Sequence, residues 1–322
     1  MKIKRKVPLI IQKLVALLRR ISPTHPKRPK IEKELRNRSS GHRGEESSDY
    51  YLSYLPENKY LILKGLRLPD GKGHYFQMDT LLLSTNVSLL LEVKNHSGML
   101  TFDQKAKQLI REYDDRVEVY PDPITQVNRQ QNQLSTLIQK AKFPQIPIIP
   151  LVVISNPRTG FRTMSNQPDI TKKVLHAATI PDRIEEIDLR FKGDIFTQKD
   201  IKKLARLLNK KHTPLDTNIL DYFGLDQSEI ISGVHCPSCY KIPMIRLRGK
   251  WSCLFCKTVS KEAHIDTLND YALLLNTTIT NKQCREFLNI SSPTIANKLL
   301  FSQNLPFTGT FKDRKYQLSS PE

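Results

Sequence analysis

Apolar residues along the chain fall first into a helical rhythm and then into strand-like runs. Val7, Ile10, Ile11, Leu14, Leu17, Leu18 and Ile21 recur at the spacing that lines one face of a helix. Residues 22–30 (SPTHPKRPK) break that rhythm with prolines and read as a linker. Residues 48–56 predict a short helix ending before Pro56, and 59–68 (KYLILKGLRL) are strand-like. Asp70-Gly71 marks a turn. The apolar runs 77–84 and 88–95 flank Thr85-Asn86 and predict a hairpin. Asp122-Pro123 has the cap-then-proline form of a helix start, and that helix should run to about Lys142. Residues 146–155 and 173–179 read as further strands, and 181–190 and 197–211 as helices. Such alternation predicts an α/β domain: a mixed sheet flanked by helices.

Composition shifts at 212–230, and shorter signals follow. Thr280, with Gln283 three residues on, opens one short helix, and Ser292 before Pro293 opens another. Residues 307–318 (FTGTFKDRKYQL) then read as a β-hairpin. Two short helices and a hairpin resemble a winged helix-turn-helix, which would put Ser292, Thr294, Asn297 and Lys298 on the recognition helix. A protein-docking helical module is the alternative. The chain is therefore expected to divide into a basic amphipathic helix and linker (1–35), an α/β domain (36–195), a helical linker (196–230), a cysteine-rich ribbon (231–260) and a winged-helix-like tail (261–322).

Charge sharpens this division. The net charge is +19, but residues 1–40 hold 13 Lys/Arg against Glu32 and Glu34, while 41–195 hold 20 basic and 19 acidic residues. Residues 196–260 carry 11 against 5, and 261–322 carry 7 against 6. The surplus at the N-terminus and near the cysteines suits a polyanion: nucleic acid or an anionic membrane face. The 7–21 run is too short and interrupted to span a bilayer, which takes about 20 apolar residues, and no small-residue cleavage site follows it. Its apolar face fits either peripheral attachment to an anionic membrane through residues 1–21 or docking on the protein's own core. As a linker-tethered piece, residues 1–35 are expected to be dispensable for chemistry.

Four of the five cysteines form two C-x-x-C pairs, Cys236/Cys239 and Cys253/Cys256, separated by 13 residues. Two such knuckles complete a tetrahedral thiolate shell around Zn2+ at about 2.3 Å, with no open position, so the site is structural. Metal thiolates also suit a reducing cytoplasm better than disulfides would. Arg246, Arg248, Lys250 and Trp251 lie between the knuckles, and basic residues beside an aromatic fit a nucleic-acid contact. Packing of Trp251 on a knuckle is the plainer alternative. His235 neighbours a ligand, and Cys284 reads as core.

The hairpin carries the remaining chemistry. With Thr85-Asn86 as a two-residue loop, Asp79 falls opposite Glu92, their Cβ atoms about 5 Å apart. Lys94 shares the face of Glu92. Two close carboxylates repel, and burial raises the cost; a divalent cation such as Mg2+ or Mn2+ resolves this. A metal ion held by Asp79 and Glu92 would polarise a phosphodiester, while Lys94 orients the attacking water or steadies developing charge. Glu45 is a second acid upstream. A plain structural ion pair is the alternative.

Gly41-His42-Arg43-Gly44-Glu45, Met78-Asp79, Glu92-Val93-Lys94-Asn95 with Gly98, and Pro123 to Gln126 together resemble the nuclease-related (NERD) domain, similar to the restriction-endonuclease-like PD-(D/E)xK superfamily. The resemblance spans roughly 36–195. It implies a restriction-endonuclease-like fold and a metal-dependent nuclease. Asp79 and Glu92 would be the ligands, Lys94 the catalytic lysine, Glu45 an accessory acid and Gln126 a supporting residue, with Gln130 one turn on. Met78 stands where that superfamily's name has proline. The expected function is phosphodiester hydrolysis, with DNA favoured; a non-catalytic nucleic-acid-binding protein on the same fold is the alternative.

Overall fold

The structure, a computed structural model, describes residues 5–164, 170–310 and 313–318. It forms two compact units: Ser39–Leu215 joined by Arg5, and Lys6–Arg38 with Asp216–Glu322. Two helices open the chain, α1 (Leu9–Arg20) and α2 (Arg28–Leu52). The proline-rich stretch is thus a linker only up to α2. Pro29 sits in the first turn of that helix, where its missing N–H is tolerated. The helix expected at 48–56 is the end of α2.

The first unit continues with β1 (Leu61–Pro69), β2 (Tyr75–Leu83), β3 (Ser88–Lys94), β4 (Met99–Asp103), β5 (Gln108–Tyr113), β6 (Arg116–Pro121), α3 (Pro123–Lys140), β7 (Ile148–Ile154), β8 (Gly160–Thr163), β9 (Val174–His176), α4 (Ile180–Arg190) and α5 (Gln198–Lys211). Its main sheet has the order β1-β2-β3-β7-β9. The three-strand meander is antiparallel, and β3, β7 and β9 run parallel. One face packs Leu90, Val152 and Ile154 against Val127 and Leu134 of α3 and Leu204 of α5. The other packs Leu82, Leu91 and Val153 against Leu52 of α2 and Ile184 of α4. The fold is mixed α/β, helices flanking mixed sheets. A second sheet, β6-β5-β4-β8, occupies a stretch for which the hydrophobic pattern predicted nothing.

The second unit buries Ile11, Leu14, Leu17 and Ile21 of α1 in its own core. It adds α6 (Ile219–Phe223), β10 (Met244–Leu247), β11 (Lys250–Cys253), β12 (Val259–Ser260), α7 (Ala263–Leu274), β13 (Thr278–Thr280), α8 (Asn281–Leu288), α9 (Pro293–Phe301), β14 (Phe307–Thr308) and β15 (Lys315–Gln317). Strands β10 to β12 make the ribbon sheet, and β13-β15-β14 makes a small sheet beside α8 and α9, the element order of a winged helix. Thr280 and Gln283 form the expected capping box, and Ser292 caps α9. Part of the expected hairpin, residues 311–312, lies outside the described residues.

Two expectations change here. Residues 1–35 are no separable segment, because α1 is core to the second unit. Its cations are engaged internally: Lys13 pairs with Asp216, and both Arg19 and Arg20 with Asp270, at 2.5 and 2.8 Å. The apolar face offered to a membrane is thereby covered, and among the described residues no helix is long and apolar enough to cross one. The expected linker 196–230 also divides. Helix α5 packs Ile201, Leu204, Ala205 and Leu208 into the first unit, and α6 packs Ile219, Leu220 and Phe223 into the second.

Candidate active site

Helix α2 approaches the first unit's sheet closely at Gly44. A Cβ there would lie 2.6 Å from Asn95 Cβ and 2.7 Å from Ser155 Oγ, so glycine is required. The contact sets down the next residue, Glu45, beside the meander. Strand β2 supplies Asp79 where the strand alternation slips by one. Leu63, then Leu66 and Leu68, face the same core, and so do Met78, then Leu81. Gly65, at φ +63°, absorbs the slip on β1. The β2–β3 ladder holds the expected register from Leu83↔Ser88 to Thr80↔Leu91 and ends there. Beyond it, the Asp79 carboxylate accepts the Val93 N–H at 2.8 Å in place of a backbone carbonyl.

Glu92 is 3% exposed. Its Oε1 accepts from Lys94 Nζ at 2.7 Å and from Gln126 Nε2 at 2.8 Å; its Oε2 accepts from Gln130 Nε2 at 2.9 Å. Lys94 Nζ also donates to Gln126 Oε1 at 3.1 Å. Both glutamines project from α3 one turn apart. The Asp122 side chain caps that helix, accepting from the Ile124 and Thr125 N–H groups, with Pro123 behind it.

Arg5 completes the cluster, unannounced by the sequence. Its buried guanidinium donates to Glu45 at 2.6 Å, to the Asp79 carbonyl at 3.0 Å, to Thr80 Oγ1 at 2.9 Å and to both oxygens of Asp49 at 3.1 Å. Lys64 pairs with Asp49 as well, at 3.1 Å. Asp49 had a legible signal, lying one turn after Glu45 on the same helix. Arg5 had none, being one of several cations in a basic run.

Burial is the largest cause of the unusual acidities. It raises Asp79 well above the ordinary carboxylate range, with Glu92 and Glu45 adding to it against the Val93 N–H and Lys94. It raises Glu45 to about 7, against the opposing charge of Arg5. Four carboxylates (Glu45, Asp49, Asp79, Glu92) thus meet three cations (Arg5, Lys64, Lys94). The oxygen donors are those a hard divalent cation takes, one or two carboxylates with the remaining positions filled by water and substrate. They are not a closed cage. Among the described residues the four cysteines are the one group of three or more His, Cys, Asp or Glu ligand atoms lying within 4.8 Å of one another.

In that cysteine site Cys236 and Cys256 Sγ lie 3.5 Å apart and Cys239 and Cys253 Sγ 3.6 Å. A tetrahedron with bonds of about 2.3 Å has edges of about 3.8 Å, so the four sulfurs fit one Zn2+. His235 is not a ligand. It is buried beside Thr267 and Arg20, and burial lowers it to about 3. Cys284 is core, its thiol pushed up to about 12 by burial.

Of the expected nucleic-acid contacts, Trp251 is overturned. It is 1% exposed, its indole N–H faces His264 at 3.4 Å, and Arg246 covers its ring. Arg248 and Lys250 are exposed at the β10–β11 turn, and Thr294, Asn297 and Lys298 are exposed on α9, where Asn297 accepts from Asn281 at 2.7 Å.

Residues 40–155 match the family model of the nuclease-related (NERD) domain, a stretch shorter than the 36–195 expected. No curated protein and no solved structure matches the chain. Glu45, Asp79, Glu92, Lys94 and Gln126 all lie within the matched residues.

Proposed function

We propose that this protein, whose residues 40–155 match the nuclease-related domain model, is a metal-dependent nuclease that hydrolyses phosphodiester bonds, in DNA before RNA, within the cytoplasm. The observation that carries the reading is the meeting of Asp79, Glu92 and Lys94 where β2 and β3 part, with the pKa values of Asp79 and Glu45 raised by burial. Asp79 and Glu92 would hold Mg2+ or Mn2+, which supplies Lewis-acid polarisation of the phosphodiester and a water of lowered pKa. Lys94 Nζ, placed by Glu92 and Gln126, would orient the attacking water and balance charge developing on the phosphoryl oxygens. Glu45, its position fixed by Arg5, would accept that water's proton, and the leaving oxygen would take one from solvent. Gln130 holds the second oxygen of Glu92. The zinc ribbon, through Arg246, Arg248 and Lys250, and α9, through Thr294, Asn297 and Lys298, supply further contacts to nucleic acid.

A second reading rests on one specific observation: both oxygens of Glu92 are already hydrogen-bonded within the protein. A chain that binds nucleic acid without cutting it fits that arrangement. Cleavage of labelled single- and double-stranded DNA and RNA with Mg2+ or Mn2+ separates the two. The nuclease reading expects cleavage that Lys94→Ala and Asp79→Asn reduce by about a hundred- to a thousandfold, typical of losing electrostatic stabilisation in a transition state. Intact substrates under all metals would leave the binding reading.

A further inference from the structure

The first unit has a cleft of about 910 Å3 that the chemistry above does not use. It lies along β1, which is an edge of the main sheet, between the end of α2 and helix α5. Arg5 and Asp49 line it, so one end of the cleft adjoins the groups that hold Glu45 and Asp79. Five cations line it against three carboxylates, Glu46, Asp49 and Glu57, and Asp49 is already paired with Arg5 and Lys64. Helix α5 forms one wall. It carries six Lys/Arg and a single acid, Asp200, which its capping box occupies. Lys202 and Arg206, one turn apart, reach the cleft, are exposed, and make no ion pair among the described residues.

The α2 flank offers a different chemistry. Tyr50 and Tyr54 are 59% and 63% exposed, and their rings meet edge to face at 5.3 Å. They follow, on the same stretch of chain, Glu46 by one turn and Ser53 by one residue, both of which line the cleft. Flat aromatic faces stack on bases of any identity, provided the bases are unpaired.

We propose that this cleft holds a single strand of nucleic acid, its phosphates on Lys202 and Arg206 and its bases on Tyr50 and Tyr54, and leads it to the carboxylate site. The choice of polymer rests on the nuclease reading; the pairing of phosphate and base contacts is what selects a single strand over a duplex. Bases inside a duplex do not present their faces, so the tyrosines would be idle against one.

The test uses the full chain and fluorescein-labelled 12-mer DNA, single-stranded or duplex, read by anisotropy without Mg2+ so that nothing is cut. Lys202→Glu with Arg206→Glu should weaken single-strand binding at least tenfold. It should also flatten the salt dependence by about 1.4 in logarithmic slope, two phosphate contacts' worth. The milder Lys202→Gln with Arg206→Gln should fall between that variant and wild type. Tyr50→Ala with Tyr54→Ala should weaken single-strand binding at least fivefold and leave the duplex unaffected. A matching charge reversal outside the cleft, Arg190→Glu with Lys192→Glu, should change neither. Unchanged affinity in both charge variants overturns the proposal, and so does equal loss for duplex and single strand. Hydrolysis of bis-p-nitrophenyl phosphate by the wild type with Mn2+ checks the nuclease reading separately. Absence of hydrolysis removes that reading while the anisotropy still decides the cleft.

Discussion

The cysteine site and the carboxylate site solve opposite problems with ions. The four thiolates come from two knuckles within 21 residues, and their sulfurs stand close enough for one ion without rearrangement. The carboxylate site draws on Arg5, α2, β2, β3 and α3, separated by up to 125 positions in the chain, and its acids are held apart by cations and glutamines. A closed shell of like ligands fixes an ion and gives it nothing to do. On the nuclease reading, an assembly of mutually opposed charges would keep each group poised and leave a ligand position for substrate. Local spacing then serves stability, and long-range convergence would serve chemistry.

The largest expected effect would break the comparison on the zinc side. Cys253→Ser should release the ion, about one Zn2+ per chain by metal analysis, and unfold the ribbon. Metal binding in small structural sites is worth about 10 kcal/mol or more, a large share of any domain's stability. Asp79→Asn should act in the other direction on the metal-free protein. The amide keeps an acceptor for the Val93 N–H and removes a charge that burial and Glu92 oppose, so the first unit's melting temperature should rise. Destabilisation by Asp79→Asn would make Asp79 a structural ion-pair partner and end the contrast.

Next in size is Arg5→Ala. Removing one member of a buried charge cluster costs about 3–5 kcal/mol, because Glu45 and Asp49 are left facing each other. The first unit should melt lower, and cleavage should fall by about tenfold or more as Glu45 loses its anchor. Arg5→Lys should recover part of the stability and less of the activity, since an ammonium cannot reproduce the forked contacts. An Arg5→Ala protein with unchanged melting and cleavage would remove Arg5 from the site and leave α1 with its structural role.

What could be read in advance followed the same division. The hairpin register was countable from Thr85-Asn86, because side-chain alternation leaves no freedom once the loop is set. The start of α3 was legible in Asp122-Pro123, and the zinc shell in its spacing. The partner of α1 was not legible: periodicity shows that a helix has an apolar face, and a membrane or a core would cover that face equally well. Nor was the second sheet, where Val117 and Val119 of β6 point outward, 68% and 57% exposed, and the burial alternation that marks a strand is lost. Trp251 misled because an aromatic among cations describes both a stacking platform and a buried ring covered by Arg246. Arg5 was invisible because its partners lie 40 to 75 positions away.

The smallest effect, and the one that sharpens the contrast most finely, is the pH dependence of the metal-free first unit. Glu45 has its folded pKa raised from 4.5 to about 7, chiefly by burial. A carboxyl whose pKa rises on folding binds its proton more tightly in the native state. The stability this gives is fully present below the unfolded value and is lost as pH climbs through the folded one. Asp79, shifted in the same direction, adds to the trend. In buffer free of Mg2+ and of chelator, so that zinc stays bound, the first unit should therefore melt lower at pH 8 than at pH 5. Mg2+ or Mn2+ should restore melting most strongly at pH 8, where the ion meets ionised carboxylates and no longer competes with protons. Glu45→Gln should flatten the slope without metal, since it takes away the titrating group while keeping an acceptor for Arg5. A metal-free melting temperature that rises from pH 5 to pH 8 would mean that these carboxylates are held ionised by Arg5 and Lys94, as a structural ion-pair network requires.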